Sequence, residues 1–113
     1  MKGTNIGEFE ELVMLTIATL TENAYSVNIC DEIERVSSRK VKLGVVHAAL
    51  NRLEEKGLIS SQLGEATKAR GGRRKRFFEI SQAGKISLLK AKEQRDRLWS
   101  AIPKVIFDGL DIK

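Results

Sequence analysis

The stretch GVVHAALNRLEEKGLISSQL, residues 44–63, decides the fold of this chain. Its first part predicts an amphipathic helix from Gly44 to Lys56, because apolar residues recur on one side at helical spacing. These apolar residues are Val46, Ala49, Leu50 and Leu53. Gly57 is the residue expected just past a helix C-terminus, and residues 58–63 predict a short strand. The stretch therefore predicts a helix that leads directly into a strand.

The other side of this helix is small near its start and polar farther along. It is formed by Gly44, His47, Ala48, Asn51 and Arg52. His47 and Asn51 can both donate and accept hydrogen bonds, as contacts to DNA base edges require. The alternative for both is an ordinary solvent-exposed polar side chain. Arg52 has an alternative of its own, an ion pair with Glu54 or Glu55 on the same helix.

A run of cations ends the loop that follows the strand. Residues 64–72, GEATKARGG, hold no large apolar side chain and predict a projecting loop. Six cations fall within nine residues: Lys68, Arg70, Arg73, Arg74, Lys75 and Arg76. A return strand is predicted from Arg76 to Ile80, paired with the first strand. Gly71 and Gly72 would let the loop approach a duplex closely, so phosphate contact is the favoured interpretation and a solvated charge run is the alternative.

Helices are also predicted on both sides of this central part. Apolar spacing predicts a first helix from Ile6 to Leu20, and Ser26 is the expected N-cap of a second one. Ser81 is the expected N-cap of a long helix that runs towards Ile102. This helix carries a thin apolar stripe with one cation in it: Leu88, Ala91, Arg95, Leu98 and Ile102. We expect the stripe to be buried against a partner subunit rather than against the chain's own core.

The order of these elements is helix, helix, helix, strand, projecting loop, strand and helix. It predicts a mainly α fold with a small antiparallel β-hairpin, namely a winged helix-turn-helix with an added C-terminal dimerisation helix. Residues 1–81 would form the winged-helix DNA-binding domain, and residues 82–113 the dimerisation helix and tail. Residues 44–56 would enter a DNA major groove, and the wing, residues 66–75, would lie on the adjacent backbone. Lys40 and Lys42 would contact phosphate just before the third helix.

The charges are distributed unevenly along the 113 residues, whose formal net charge is +5. Residues 1–34 hold seven acids and one cation, whereas residues 35–76 hold twelve cations and three acids. Such asymmetry is typical of a surface that faces a polyanion, although a solvated face would also account for it. The charge pattern therefore supports a nucleic-acid partner without requiring one.

Composition argues against several other classes of protein. No apolar run approaches the roughly 18 residues of a membrane span, and the acidic N-terminal segment is unlike a signal peptide. We therefore expect a cytoplasmic, nucleoid-associated protein. The lone Cys30 lies at an apolar helix position, which predicts a core cysteine. His47 is the only histidine, and no nucleophile with a carboxylate partner is spaced around it, so we expect neither an enzyme, nor a cofactor, nor a metal.

Four segments resemble the PadR family of bacterial transcriptional regulators. They are GEFEELVMLTIATL, AYSVNICDEIE, KLGVVHAALNRLEEKGLISSQLGE and ARGGRRKRFFEISQAGK, and the resemblance covers about residues 5–86. The family pattern R-L-E-x-x-G-L is present from Arg52 to Leu58. The family's wing signature, G-G-R-R-[KR]-x-[YF], is present from Gly71 to Phe77. These two motifs make the resemblance specific.

The resemblance implies a homodimeric, sequence-specific regulator, with repression as the expected role and an inverted-repeat operator as its site. The expected DNA contacts are Lys40, Lys42, Gly44, His47, Ala48, Asn51, Arg52, Lys68, Arg70, Gly71, Gly72, Arg73, Arg74 and Lys75. The expected dimer contacts are Phe9, Leu88, Leu98, Trp99 and Ile102. Family members can bind flat aromatic compounds at the dimer interface. Trp99 is therefore expected to pack in the dimer, with an effector pocket for a small aromatic ligand as the alternative.

The chain departs from the family pattern in two places. Members commonly carry Tyr-Pro or Tyr-Thr where this chain has His47 and Ala48, so the DNA contact of that tyrosine passes to His47. Phe77 and Phe78 replace common tyrosines, which keeps the packing and removes two hydroxyls. Two other functions stay open: a winged-helix module that binds an acidic protein partner, and an RNA-binding protein. The RNA alternative lacks the spaced exposed aromatics of a base-stacking surface.

Overall fold

Three helices at the start of the chain pack around one core in this computed structural model, which describes residues 6–64 and 74–110. The helices are α1 (Glu8–Leu20), α2 (Ser26–Ser37) and α3 (Leu43–Glu55). Their apolar sides meet and exclude water, with the largest buried side chains at Met14, Ile17, Ile29, Ile33, Leu50 and Leu53. The prediction of three helices in this part of the chain is thus confirmed.

An antiparallel hairpin follows α3, as predicted. Its strands are β1 (Ile59–Leu63) and β2 (Arg76–Ile80). β2 also meets the chain just before α2, because the Phe78 N–H donates to the Ala24 carbonyl at 2.8 Å and Tyr25 forms a bridge with Phe77. Phe78 is buried in the core. β2 is therefore anchored to the segment that precedes α2.

Helix α4 (Gln82–Ala101) begins at a joint that holds it against the end of α3. Ser81 caps the helix, as predicted, because its Oγ accepts a hydrogen bond from Gly84 N at 3.1 Å. The same hydroxyl donates to the Gly57 carbonyl at 2.6 Å. Gly84 is buried, and a Cβ atom there would clash with the carbonyl oxygen of Leu58. The turn that links α3 to β1 is thus fixed to the start of α4.

The stripe of α4 is divided between the chain's own core and solvent. Leu88 packs in part against the core, and Arg95 Nη1 lies 2.5 and 2.7 Å from the two carboxylate oxygens of Glu11. This half of α4 thus contacts the chain's own core in part, because α1 lies beneath it, and burial of the stripe against a partner subunit stays a prediction. Farther along, Leu98 and Trp99 are 70% and 63% exposed. The mainly α fold with one small antiparallel sheet is as predicted.

Two element ends differ from the prediction. Ser26 is the first residue of α2 instead of its N-cap, and the extended residue that caps the helix is Tyr25. α4 ends at Ala101, because Ile102 precedes Pro103 and a residue before proline is held extended. The other helix and strand ends in the described chain lie within two residues of their predicted positions.

Candidate nucleic-acid interface

Helix α3 turns its polar side to solvent, as the sequence predicts. Gly44, His47, Ala48 and Asn51 are all exposed, whereas the apolar side of the helix is buried. A Cβ atom at Gly44 would meet no heavy atom within 4 Å. The chain itself therefore does not require a glycine at this position, and open space lies in front of it. This side of α3 can approach a groove in a partner molecule closely.

A groove of about 500 Å³ runs between α3, the start of α2 and the loop end of the hairpin. His47 and Asn51 line it from α3, and Arg74 and Lys75 line it from the chain that enters β2. Residues that the sequence assigns separately to a recognition helix and a wing thus share one concave surface. Side chains that can reach base edges lie opposite side chains that can neutralise phosphates. The groove therefore has the chemistry of a DNA-contacting surface.

The cations that precede β2 also make contacts within the chain. Arg74 Nε donates to the Gly64 carbonyl at 2.6 Å, across the loop end of the hairpin. Lys75 Nζ lies 4.0 Å from the ring centre of Tyr25, a cation–π contact. The Tyr25 ring in turn meets Phe77 edge to face, with 5.6 Å between the ring centres. Arg74 and Lys75 therefore hold the loop end of the hairpin as well as lining the groove.

Lys40 and Lys42 are exposed just before α3. Lys42 is the N-cap residue of the helix, and its carbonyl accepts a hydrogen bond from the Val45 N–H at 3.0 Å. The positive end of the helix dipole and two lysines thus lie at the same point of the surface. This place suits the phosphate contact predicted for both lysines.

The tip of the predicted wing lies outside the described residues. This applies to five of the expected DNA contacts: Lys68, Arg70, Gly71, Gly72 and Arg73. Their contact with phosphate stays a prediction from the sequence. The described part of the wing contributes Arg74 and Lys75.

Arg52 has a partner that the sequence did not suggest. Its Nε donates to Oε2 of Glu10 at 2.8 Å, so the ion pair with Glu54 or Glu55 is wrong. Glu10 is 6% exposed on the buried side of α1, and Lys56 Nζ lies 2.8 Å from its other carboxylate oxygen. A buried carboxylate is stable only when it is paired and hydrogen-bonded, which explains why Arg52 turns towards α1.

The same contacts set the ionisation of Glu10. Burial by itself raises the pKa of this carboxyl, but hydrogen bonds from Lys56, Arg52 and the Gly7 N–H outweigh burial and lower the pKa from 4.5 to about 2. Glu10 is therefore ionised at neutral pH and joins α1 to the C-terminal half of α3. Arg52 has a structural role in this cluster, and its contact with DNA stays a prediction.

The residues expected at the dimer interface fall into two groups. Phe9 and Leu88 pack in part against the chain's own core, and contact with a partner stays a prediction for them. Leu98 and Trp99 are exposed beyond the part of α4 that α1 covers, and Ile102 is half-buried next to them. The second group therefore offers surface that the described chain leaves uncovered.

The exposed apolar surface continues past the end of α4. The Trp99 ring stacks on Phe107, with 6.0 Å between ring centres and 21° between the planes. The exposed apolar side chains in this part are Leu98, Trp99, Val105, Ile106, Phe107 and Leu110. Exposed apolar side chains clustered in one part of a chain are typical of interaction sites.

The structural roles of two residues near the site were not predicted from the sequence. Glu10 shares a helical side with Val13, Met14 and Ile17, so its spacing could have revealed a buried carboxylate. Gly84 follows the cap of α4 and carries no periodic signal, because its role depends on the approach of a distant backbone. Glu10 joins α1 to α3, and Gly84 lets the start of α4 approach the Leu58 backbone closely.

The described residues carry no sign of a metal site or a membrane span. Among them, no three His, Cys, Asp or Glu side chains are grouped so as to hold a metal ion. None of the helices in residues 6–64 and 74–110 combines the length and apolar character that crossing a bilayer requires. Cys30 is a buried core residue, as predicted, with its Sγ 3.2 Å from the Val41 carbonyl oxygen.

Solved regulators share this fold. A PadR-like transcriptional regulator from Bacillus cereus is 17% identical, with a TM-score of 0.71 over 90% of this chain and 93% of that one. A PadR family regulator from Clostridium difficile is 24% identical, with a TM-score of 0.61 over 81% of this chain and 91% of that one. One from Eggerthella lenta is 20% identical, with a TM-score of 0.66 over 90% and 88% of the two chains. These likenesses show the fold.

The family itself is shown by the sequence. No curated protein matches the chain. The model of the PadR-like family of transcriptional regulators matches residues 14–90, a segment that includes α3, both strands and the start of α4. The chain therefore belongs to the PadR-like family of transcriptional regulators, and it is a DNA-binding regulator and not an enzyme.

Proposed function

We propose that the protein is a homodimeric transcriptional repressor that binds an inverted-repeat operator in the cytoplasm, on the nucleoid. α3 lies in a major groove, and the wing, residues 66–75, lies on the adjacent backbone. The observation that carries this proposal is the groove in which His47 and Asn51 of α3 face Arg74 and Lys75 of the hairpin. This arrangement lets one surface contact bases and phosphates at the same time.

The two walls of the groove have different tasks in this proposal. His47 and Asn51 contact base edges, because each side chain can donate and accept hydrogen bonds. Lys40, Lys42 and the cations of the wing contact phosphates, which gives affinity and sets the position of α3 on the duplex. Sequence discrimination is thus assigned to α3, and most of the affinity to its basic surroundings.

The dimer is formed through α4 and the tail, residues 82–113. Leu98 lies on the same side of α4 as Leu88, but beyond the part that α1 covers, and Ile102 directly follows the helix. A second copy related by a two-fold axis would cover this apolar surface on both subunits. Two α3 helices in one symmetric dimer then require half-sites about 10 base pairs apart, or a multiple of that spacing.

The end of α4 is the place where a small aromatic effector would bind. Trp99 and Phe107 are stacked and exposed, so they present a flat aromatic surface next to the dimer contact. A ligand bound there would change the packing of α4 and thereby the distance between the two α3 helices. Relief of repression by such a ligand is part of the proposal.

The phosphate contacts are tested by the salt dependence of DNA binding. Fluorescence anisotropy with a labelled random-sequence duplex should give a linear fall of log affinity with log salt. For about six contacts, affinity should drop on the order of a thousandfold between roughly 50 and 200 mM salt. A flat salt response would contradict the proposal. A competition experiment tests the alternative. If an acidic polypeptide displaces the labelled duplex as readily as unlabelled DNA does, an acidic protein partner is favoured instead.

A further inference from the structure

A chain of hydrogen bonds joins the hairpin to α3 at the edge of the groove. Arg76 Nη1 donates to Ser61 Oγ at 3.0 Å, and Ser61 Oγ donates to Glu54 Oε2 at 2.6 Å. One hydroxyl thus accepts a hydrogen bond from a cation and donates one to a carboxylate, as a hydroxyl can. We refer to the contact Arg76–Ser61–Glu54 as the relay.

The relay crosses the hairpin diagonally. Ser61 pairs with Phe78 in the strand register, whereas Arg76 pairs with Leu63. Arg76 therefore reaches back along β1 by two residues to find the hydroxyl, a distance that a long side chain spans on one face of a strand pair. The contact fixes the two strands relative to each other at the end from which the wing departs.

The carboxylate end of the relay lies on the DNA-facing side of α3. Glu54 follows Asn51 by three residues and His47 by seven, which places all three side chains along one side of the helix. Glu54 and Arg76 both line the groove together with His47 and Asn51. The two ends of the relay therefore line the same groove as the residues proposed to contact bases.

We infer that the relay positions the wing relative to the recognition helix, and that Ser61 is a positioning residue for DNA binding that makes no DNA contact itself. This inference rests on the proposed contacts of α3 and the wing with one duplex. A hairpin already fixed to α3 offers both elements to the DNA together, which lowers the cost of ordering them on binding. The relay also directs one oxygen of the Glu54 carboxylate towards Ser61 instead of towards the phosphates.

The relay should affect binding more than stability. Glu54 and Arg76 are exposed, and Ser61 is only half-buried. Contacts between exposed side chains contribute little to the stability of a fold. A small change in the direction of the wing, in contrast, acts on every phosphate contact that the wing makes.

The test compares three variants of strand β1. Ser61→Ala removes the hydroxyl, and Ser61→Thr keeps it on a side chain that suits a strand. Ser60→Ala is the matched control, because Ser60 is exposed on the opposite face of the same strand. The probe is a short duplex selected by the wild-type protein from a random-sequence pool. Affinity is measured as a function of salt, and the thermal midpoint of each variant is recorded.

We expect Ser61→Ala to bind about three- to tenfold more weakly than Ser60→Ala, the size of one lost hydrogen bond. The slope of log affinity against log salt should be unchanged, because no phosphate contact is removed. Ser61→Thr should bind like the wild type. A purely structural role would lower the thermal midpoint of Ser61→Ala and leave its affinity equal to that of Ser60→Ala.

Two results would overturn the inference while leaving the proposed function intact. One is equal affinity of Ser61→Ala and Ser60→Ala for the selected duplex. The other is a loss of affinity with a smaller salt slope, which would mean that Ser61 or its partner contacts phosphate directly. A wild-type protein that binds no duplex at all would overturn the proposed function, and the role of the relay with it.

Discussion

Arg52 Nε lies 2.8 Å from Oε2 of Glu10, so the recognition helix is tied to a buried carboxylate of the first helix. Lys56 Nζ holds the other oxygen of Glu10 at 2.8 Å. α3 is thus fixed by charge near its C-terminal end and by apolar packing along its inner side. The direction in which His47 and Asn51 face the groove depends on both.

Glu10→Gln should lower the free energy of unfolding by about 2 kcal/mol or more. The substitution leaves the cations without their charged partner and keeps a similar shape in the core. Urea unfolding followed by circular dichroism measures the change. Glu8→Gln is the matched control, because Glu8 is exposed and forms only a surface pair with Arg39. It should change stability by less than about 1 kcal/mol, and an equal loss in both variants would refute the role of Glu10.

Stability should fall in acid as Glu10 takes up a proton. Its pKa is about 2 in the folded chain against the usual 4.5, so the unfolded chain binds the proton more readily. The stabilisation is fully present above about pH 4.5 and is lost as the pH falls through about 2. It amounts to about 3 kcal/mol for a shift of this size. Unfolding measured between about pH 5 and 2 should depend less steeply on pH in Glu10→Gln than in the wild type, and equal slopes would speak against the assignment.

Gly84→Ala should destabilise the chain by about 1–3 kcal/mol, because the new Cβ meets the Leu58 carbonyl and a backbone atom gives way less readily than a side chain. Gly44→Ala is the matched substitution in open space. It should leave stability unchanged or raise it by up to about 1 kcal/mol, since alanine favours a helix over glycine. Thermal unfolding of both variants measures the difference. A tolerated alanine at Gly84 would mean that α4 is not held as closely as described.

Most elements of the fold could be predicted from the sequence, because most of the signals that specify them are local. The apolar spacing around Leu50, the glycine at Gly57 and the serine at Ser81 each act within one or two turns of a helix. The exposed side of α3 could be predicted for the same reason, since burial of one side decides the direction of the other. The helical spacing of Glu10 also places it on the buried side of α1, but this signal was not used in the prediction from the sequence.

The contacts that the sequence could not give join distant parts of the chain. The pairing of Arg52 with Glu10 joins α1 to α3 across 42 residues of sequence, and the fit of Gly84 against Leu58 depends on how α4 approaches the hairpin. Local rules favoured partners for Arg52 on its own helix, where two glutamates were close in sequence. In the structure Arg52 pairs with the more buried carboxylate, that of Glu10, because a charge that is removed from water needs its partner more.

Leu98→Asp should convert the dimer into a monomer at micromolar concentration, because it places a charge in the apolar surface proposed to pair. Leu89→Asp is the matched control. Leu89 is 68% exposed, close to the 70% of Leu98, but nine residues separate the two and place them on opposite sides of α4. Sedimentation velocity distinguishes the two species. A monomeric wild type, or equal behaviour of both variants, would contradict dimerisation through this side of α4.

The ratio of affinities for a selected duplex and a scrambled one tests the central claim most directly. It is measured for the wild type, for Asn51→Ala on α3, and for a wing variant that combines Arg73→Ala with Arg74→Ala. We expect Asn51→Ala to lower the ratio by about tenfold, the value of a lost base contact. The wing variant should weaken binding to both duplexes about equally and leave the ratio unchanged. A ratio that survives Asn51→Ala and falls in the wing variant would contradict sequence recognition by α3.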